Sequence, residues 1–221
     1  MPTNTFRNIS PSRRIAVLVV GYALLECALW TSRPAQFAWS ALFAAWVVGT
    51  VVASRPTLAE LGLGVTGLRA SAWVVAAASA LALLMLAAAA TAGTLHPLFG
   101  LIPQIPHSLL YVFWAFQQQF ILQCFFFLNL QSIVGTKRAV VLASVLFAFA
   151  HLPNPVLTVG TLVTGVAFCA AFARYRNLYA LAAAHAVLGL AVALSLPDDV
   201  HRHMRVGLGW LRYVPSQTTL R

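Results

Sequence analysis

Acidic residues are the scarcest chemical class in this chain. Asp and Glu together number 4, against 14 Lys and Arg, in 221 residues. All charged residues make up 8% of the sequence and hydrophobic residues 61%, whereas a soluble domain has about 25% charged residues. A water-soluble fold of this length cannot bury so much apolar surface. The basic residues lie in short stretches between apolar runs, which is a membrane-orientation pattern and argues against a nucleic-acid partner.

Cysteine is also scarce, and its spacing excludes two further classes of protein. Cys27, Cys124 and Cys169 form no C-x-x-C pair, so neither a zinc knuckle nor a disulfide framework is indicated. They fall within apolar runs, where cysteine behaves as a small buried hydrophobe. Catalytic zinc takes about three protein ligands, and His151, His185 and the distant Glu26 could supply them only if the first helix packs beside the two histidines. We therefore expect no metal and no other cofactor.

Long apolar runs recur along the whole chain. In hydrocarbon every backbone polar group must be satisfied internally, so such runs predict helices, and the alternating segments of a membrane barrel are absent. We predict an all-α polytopic transmembrane bundle of about seven spans, with an eighth possible, forming one domain over residues 1–221. The predicted spans are 15–31, 36–53, 72–94, 108–133, 138–152, 158–173 and 178–196.

The basic residues predict an orientation, because Lys and Arg are retained on the cytoplasmic side. In a seven-span topology one side carries Arg7, Arg13, Arg14, Arg55, Arg69, Lys137, Arg138, Arg174 and Arg176. Among the connections on the other side only one holds a cation, Arg33. We expect an integral protein of a bacterial inner membrane with a cytoplasmic N-terminus. The basic tail after Asp198 does not fit this pattern, unless it forms an eighth span or folds back as an amphipathic helix.

Strongly polar side chains within the spans are the candidates for a functional site, because burial in a bilayer is costly for them. The acid is Glu26, the histidines are His151 and His185, and the fourth span carries Gln118, Gln119 and Gln123. A rise of about 1.5 Å per residue places them in one layer. We expect them to line one cavity, with Glu26 within reach of a bridging water. The alternative is that they hold helices together by hydrogen bonds, with Glu26 protonated.

Three short patterns resemble the motifs of one family. The patterns are Gln118-Gln119-x-x-x-Gln123, Phe147-x-x-x-His151 and His185-x-x-x-Gly189. Their order and intervals, over about 108–196, resemble the CPBP family of intramembrane proteases, which includes CAAX prenyl endopeptidases and bacteriocin-processing enzymes. That family is marked by E-E-x-x-x-R, F-x-x-x-H and H-x-x-x-N.

The resemblance implies a catalytic role for each motif position. In the family the first glutamate activates a water, helped by the F-x-x-x-H histidine, and the last histidine and asparagine stabilise the oxyanion. A glutamine can orient a water but cannot take its proton. Gln118, Gln119 and Gln123 therefore replace the charged set with a neutral one, and Gly189 lacks the donor of the family's asparagine.

Three functions are compatible with this sequence, and we favour an intramembrane enzyme with a non-standard active site. The protein could hydrolyse a membrane-embedded peptide or lipidated protein, with Glu26 or a histidine as the base. It could instead perform acid/base or cation-stabilising chemistry on a hydrophobic small molecule such as an isoprenoid, helped by Trp114, Phe120 and Phe147 as substrate-binding aromatic rings. It could also bind a membrane partner without catalysis. Each function requires membrane lipid and a lipophilic or membrane-anchored ligand.

Overall fold

The chain folds as a bundle of helices. The structure is a computed structural model that describes residues 10–95 and 101–214, with the backbone alone over 101–108. The long helices are α1 (Pro11–Trp30), α2 (Ala35–Ala53), α3 (Leu68–Ala92), α4 (Leu101–Phe120), α5 (Leu128–Val134), α6 (Thr136–Phe149), α7 (Pro155–Tyr175) and α8 (Leu178–Ser195). Two short helices follow, α9 (Asp198–His201) and α10 (Gly207–Leu211). No strand occurs in the described ranges, which confirms the predicted all-α class.

Five helical segments among the described residues are long and apolar enough to cross a membrane. They are Ala35–Ala53, Leu68–Ala92, Leu109–Val134, Pro155–Tyr175 and Leu178–Ser195. The other two predicted spans correspond to α1, which contains Arg13, Arg14 and Glu26, and to α6, which has 14 residues. The structure therefore confirms a helical membrane bundle with five segments of spanning length. The fourth predicted span starts at 108, whereas α4 starts at Leu101.

A π-helical segment, Ile121–Phe127, joins α4 to α5 without a break. Its backbone bonds skip one residue further than α-helical bonds, so that the N–H of Leu128 donates to the carbonyl of Gln123. π-Helices are rare and occur frequently at functional sites. This one turns Phe125 and Phe127 into the centre of the bundle, where both are fully buried. On α1, Gly21 allows the close approach, since a β-carbon there would lie 2.5 Å from the Phe125 ring.

The chain reverses direction at each connection between α1 and α8 except within the continuous run from α4 to α5, so the connections lie at two opposite ends of the bundle. The first end holds the start of α1 and the connections at 54–67, 135 and 176–177. There Arg14 donates to Asn129 at 3.2 Å and Asn177 donates to the Gly64 carbonyl at 3.1 Å. The second end holds the connections at 31–34 and 150–154 and the tail from 196 onward. There Thr94 donates to the Ser195 carbonyl at 2.9 Å.

The tail folds back across the second end. The side-chain amide of Asn154 donates to the carbonyls of His201 at 3.0 Å and Arg205 at 3.1 Å. The N–H of Gly207 donates to the Leu152 carbonyl at 2.8 Å. The described part of the tail holds α9 of four residues, a 3-10 turn at Arg202–Met204 and α10 of five residues, and no eighth span. Arg7 and Arg221 lie outside the described residues.

Asn154 also caps α7, because its Oδ1 accepts from the Leu157 N–H at 3.1 Å. Asn154→Asp keeps this cap but loses the amide donor to the tail. We expect trypsin to cleave the purified variant after Arg202 and Arg205 at least about tenfold faster than wild type, because proteolysis follows the opening of the segment. Gel and mass analysis of the fragments measures this rate.

The chain offers a matched control at the opposite end. Asn177 caps α8 and donates to the Gly64 carbonyl, so Asn177→Asp makes the same chemical change away from the tail. Equal tail cleavage in the two variants would show that Asn154 does not hold the tail.

Candidate functional site

The site begins where α6 ends. Fourteen residues span about 21 Å, less than the hydrocarbon thickness of about 30 Å. The turn that follows α6 at the second end contains His151 and Leu152, and the tail packs against it. A cavity of about 1580 Å³ is present there, and its walls include Gln118, His151 and His185. Residues of the second end, among them Thr31 and Arg33, form its mouth.

A backbone carbonyl fixes the tautomer of His151. The Nδ1 of His151 lies 2.7 Å from the carbonyl oxygen of Phe147, one helical turn earlier. A carbonyl can only accept, so Nδ1 carries the proton and Nε2 of the neutral ring carries a lone pair. Nε2 has no hydrogen-bond partner among the described residues, and His151 lines the cavity. His151 therefore presents a proton acceptor.

A chain of amides fixes the opposite tautomer in His185. Gln123 Nε2 donates to Gln119 Oε1 at 3.1 Å, and Gln119 Nε2 lies 3.1 Å from His185 Nδ1. With the Gln119 amide donating, Nδ1 of His185 is the acceptor and Nε2 carries the proton. Gln119 and Gln123 are both fully buried, so they form the layer behind the cavity wall rather than the wall itself. His185 therefore presents a proton donor.

Aromatic rings hold both imidazoles in place. The Phe147 ring lies edge-on to both, with centroids 4.8 Å from His151 and 6.0 Å from His185. Phe168 stacks on His185 at 6.0 Å with an interplanar angle of 30°. Because both imidazoles contact the same phenyl ring and line the same cavity, the structure brings the two histidine motifs together.

Gln118 contributes an acceptor without a partner. Its Oε1 is buried and has no hydrogen bond to any described residue, and Gln118 lines the cavity. An unsatisfied buried carbonyl oxygen costs about 1–3 kcal/mol. A water in the cavity would satisfy it, which fits the water-orienting role that a glutamine can fill.

Tyr111 is a cavity residue that the sequence reasoning missed. It lies on α4 beside Gly189, and a β-carbon on Gly189 would overlap the Tyr111 hydroxyl. The phenol therefore occupies the space that a side chain at 189 would fill, one helical turn beyond His185. Tyr111 precedes Gln118 by seven residues, which is two turns of a helix and the same face. This seven-residue spacing was the signal in the sequence that could have placed Tyr111 beside Gln118.

The remaining predicted residues lie at different distances from the cavity. Trp114 and Phe147 are in its wall, whereas Phe120 packs against the hydrophobic core. Glu26 is not in the wall. Its carboxylate accepts from Trp30 Nε1 at 2.8 Å and pairs with Tyr22, both on its own helix.

The described residues contain no group of three or more His, Cys, Asp or Glu that could hold a metal ion. We found no curated protein and no solved structure that matches the chain significantly. A family model does match, with the description type II CAAX prenyl endopeptidase Rce1-like, over residues 105–191. That segment contains most of α4, the π segment, α5, α6, α7 and most of α8, and with them both motif histidines and all the motif glutamines. The part of the chain from residue 105 to residue 191 is thus similar to the Rce1-like family of type II CAAX prenyl endopeptidases.

Proposed function

We propose that this protein is an intramembrane hydrolase that cleaves an acyl bond, most simply a peptide bond, in a membrane-anchored lipidated substrate. One observation carries the proposal, the opposite tautomers of the two cavity histidines. The attack of water on a carbonyl requires a group that accepts the proton of the water and a group that donates a hydrogen bond to the oxyanion. His151 is the acceptor and His185 is the donor.

The reaction needs no carboxylate. A water donates one hydrogen bond to His151 Nε2 and the other to Gln118 Oε1, and its oxygen attacks the carbonyl carbon while His151 takes the proton. The oxyanion accepts hydrogen bonds from His185 Nε2–H and the Tyr111 hydroxyl. The protonated His151 then gives its proton to the leaving amine as the C–N bond breaks. The products are a carboxylic acid and an amine.

The cavity supports a long, hydrophobic substrate. Its volume of about 1580 Å³ exceeds the roughly 300–1,000 Å³ of typical small-molecule pockets. Apolar side chains such as Leu146, Phe147 and Val192 dominate its wall. A lipid chain can lie among these residues while its attached peptide reaches the histidines.

The distribution of cations supports a cytoplasmic first end in a bacterial inner membrane. The described cations of that end are Arg13, Arg14, Arg55, Arg69, Lys137, Arg138, Arg174 and Arg176, against Arg33, Arg202, Arg205 and Arg212 at the second end. The cavity mouth would then open on the outer side. The trypsin assay on Asn154→Asp tests this in sealed right-side-out vesicles, where external protease should remove the tail. Protection of the tail until the vesicles are opened would reverse the orientation.

Hydrolysis is tested by the origin of the oxygen in the product. The purified full chain in lipid nanodiscs is incubated with a prenylated peptide in H₂¹⁸O, and the products are analysed by mass spectrometry. We expect a new carboxylic acid that carries one ¹⁸O atom. His203→Ala serves as a control, since this histidine is exposed in the tail. No ¹⁸O-labelled acid from wild type, with a range of prenylated peptides, would contradict the proposal.

A second function is favoured by the rings around His185. Phe147 and Phe168 both contact that imidazole, and aromatic faces stabilise cations. The neutral donor and acceptor pair could therefore act on an isoprenoid. The same mass spectra distinguish the two functions, because this reaction gives a converted lipid and no new peptide end. A binding role without catalysis predicts neither product.

A further inference from the structure

The mouth of the cavity carries three arginines from two separate segments. Arg33 comes from the connection between α1 and α2, and Arg205 and Arg212 come from the tail. All three are exposed side chains that line the cavity. The hydrogen bonds of Asn154 and Gly207 hold the tail at this position. The bundle therefore builds a basic rim over an apolar interior.

Among the described residues, no Asp or Glu side chain lines this rim. The four Asp and Glu side chains of the chain all lie in the described residues, and none lines the cavity. Glu26 is bound by Trp30, Glu60 by Thr57 at the first end, and Asp198 pairs with His203 at 3.2 Å. Within the described ranges, none of the three guanidinium groups forms a hydrogen bond or an ion pair. In the part of the chain that the structure describes, the cationic rim thus has no acidic side chain as a counter-ion.

Two of the three guanidinium groups are held by rings instead. Arg33 lies over the Phe37 ring at 5.2 Å and Arg205 over the Tyr213 ring at 5.6 Å. Stacking fixes the plane of a guanidinium and leaves its N–H donors free to bind a carboxylate or phosphate. By contrast, Arg14 and Arg176 at the first end donate to Asn129 and Gln131. The arginines of the two ends therefore differ in whether their N–H donors remain free to bind a ligand.

Membrane orientation does not account for these cations. Basic residues concentrate on one side of a membrane protein, and Arg33, Arg205 and Arg212 lie at the end opposite to most of them. Their position therefore needs another physical reason than membrane orientation.

We propose that the cavity binds an amphiphile with an anionic end group, a carboxylate or a phosphate, held by Arg33, Arg205 and Arg212 with its apolar chain inside. This deepens the proposed function, on which it rests, because it assigns the end group of the substrate. The two sources of charge share one recognition chemistry, oxygen anions on guanidinium donors. A free peptide carboxylate and a lipid phosphate are separated by the test.

The test measures binding of short probes to the full chain in nanodiscs of uncharged phosphatidylcholine, by native mass spectrometry. The probes are dodecanoate, dodecyl phosphate and dodecanol, which have the same chain length. We expect the better anion to bind at least about tenfold tighter than the alcohol, because charge-assisted hydrogen bonds are the stronger class. The ratio between the two anions identifies the end group.

The triple variant Arg33→Gln, Arg205→Gln, Arg212→Gln should bind all three probes alike. The control is Arg69→Gln, Lys137→Gln, Arg138→Gln, which makes the same change of net charge at the first end, and it should keep the wild-type preference. Arg33→Gln alone should lose part of the preference for anions over the alcohol. Because Arg33 lies outside the tail, this single variant remains a valid test if the triple variant misfolds.

Equal binding of the alcohol and the anions by wild type would overturn the proposal. An equal loss of anion preference in the control variant would also overturn it, because net charge alone would then explain the effect. These results are independent of the ¹⁸O assay. Hydrolysis with no anion preference would refute the rim alone, and anion preference without hydrolysis would refute the proposed reaction alone.

Discussion

Conversion of His151 to glutamine is expected to lower kcat for peptide cleavage by about 10²- to 10⁴-fold, the range for loss of a general acid or base. Glutamine retains a polar end of similar reach but has no lone pair that can take a proton at neutral pH. The effect should fall on kcat and leave KM nearly unchanged, since Nε2 of His151 contacts the attacking water rather than the lipid chain. Steady-state kinetics on the prenylated peptide measure both constants.

The opposite tautomers of the two histidines predict different losses of activity when each is replaced. His151 is bound to a carbonyl and His185 to an amide donor, so only His151 presents a lone pair. His185→Gln keeps an N–H donor and should lose less than His151→Gln. A larger loss in His185→Gln, or full activity in His151→Gln, would contradict the assignment of the base. His203→Ala, with its exposed imidazole, should keep wild-type kinetics.

Removal of the Tyr111 hydroxyl is expected to lower kcat by about 10²- to 10³-fold, the typical cost of one oxyanion donor. Tyr111→Phe preserves the ring and deletes only the O–H, so the stability of the fold should change little. Tyr179→Phe is the matched control, because that hydroxyl donates to the Leu63 carbonyl at the first end. It should leave kcat unchanged.

Gly189 provides an independent check on the position of Tyr111. A β-carbon there would overlap the hydroxyl, so Gly189→Ala should displace the phenol and lower kcat by a similar factor. Once Tyr111 is replaced by Leu, adding Gly189→Ala should cost little more, because the two changes remove one interaction. Additive losses in this double-mutant cycle would show that the glycine acts by another route.

The neutral character of the site has a physical reason in its burial. Gln119 and Gln123 are fully enclosed by the bundle, and a buried charge without a partner is strongly unfavourable. Amides in these positions keep the hydrogen-bond chain to His185 without requiring a counter-ion. In the proposed mechanism, proton transfer therefore comes from an imidazole. This distinguishes the proposed mechanism from one that uses a carboxylate, as the family motif does.

The positions of the helices, and of the polar residues along them, could be predicted from the sequence. The apolar runs define the position of each residue along the membrane normal, because membrane thickness and helix rise are fixed. The sequence alone therefore predicts Gln118, His151 and His185 in one layer. The family resemblance over about 108–196 is confirmed by the match over 105–191. Helix direction and the positive-side pattern also follow from local composition.

The identity of hydrogen-bond partners could not be read from the sequence. Rotation of each helix about its axis depends on packing between distant segments, and the π segment changes that rotation within the fourth span. For this reason Glu26, at a suitable depth, pairs with Trp30 instead of reaching the cavity wall. Likewise Gln119 lies behind His185, while Tyr111 enters the space beside Gly189.

The amino-acid sequence by itself determined a helical membrane protein and predicted that its polar residues share one depth, because hydropathy and helix rise act locally along the chain. Only the tertiary structure decided which histidine accepts and which donates, and that the basic tail closes over the cavity mouth. Those features depend on contacts between residues far apart in sequence, such as Gln119 with His185 and Asn154 with His201.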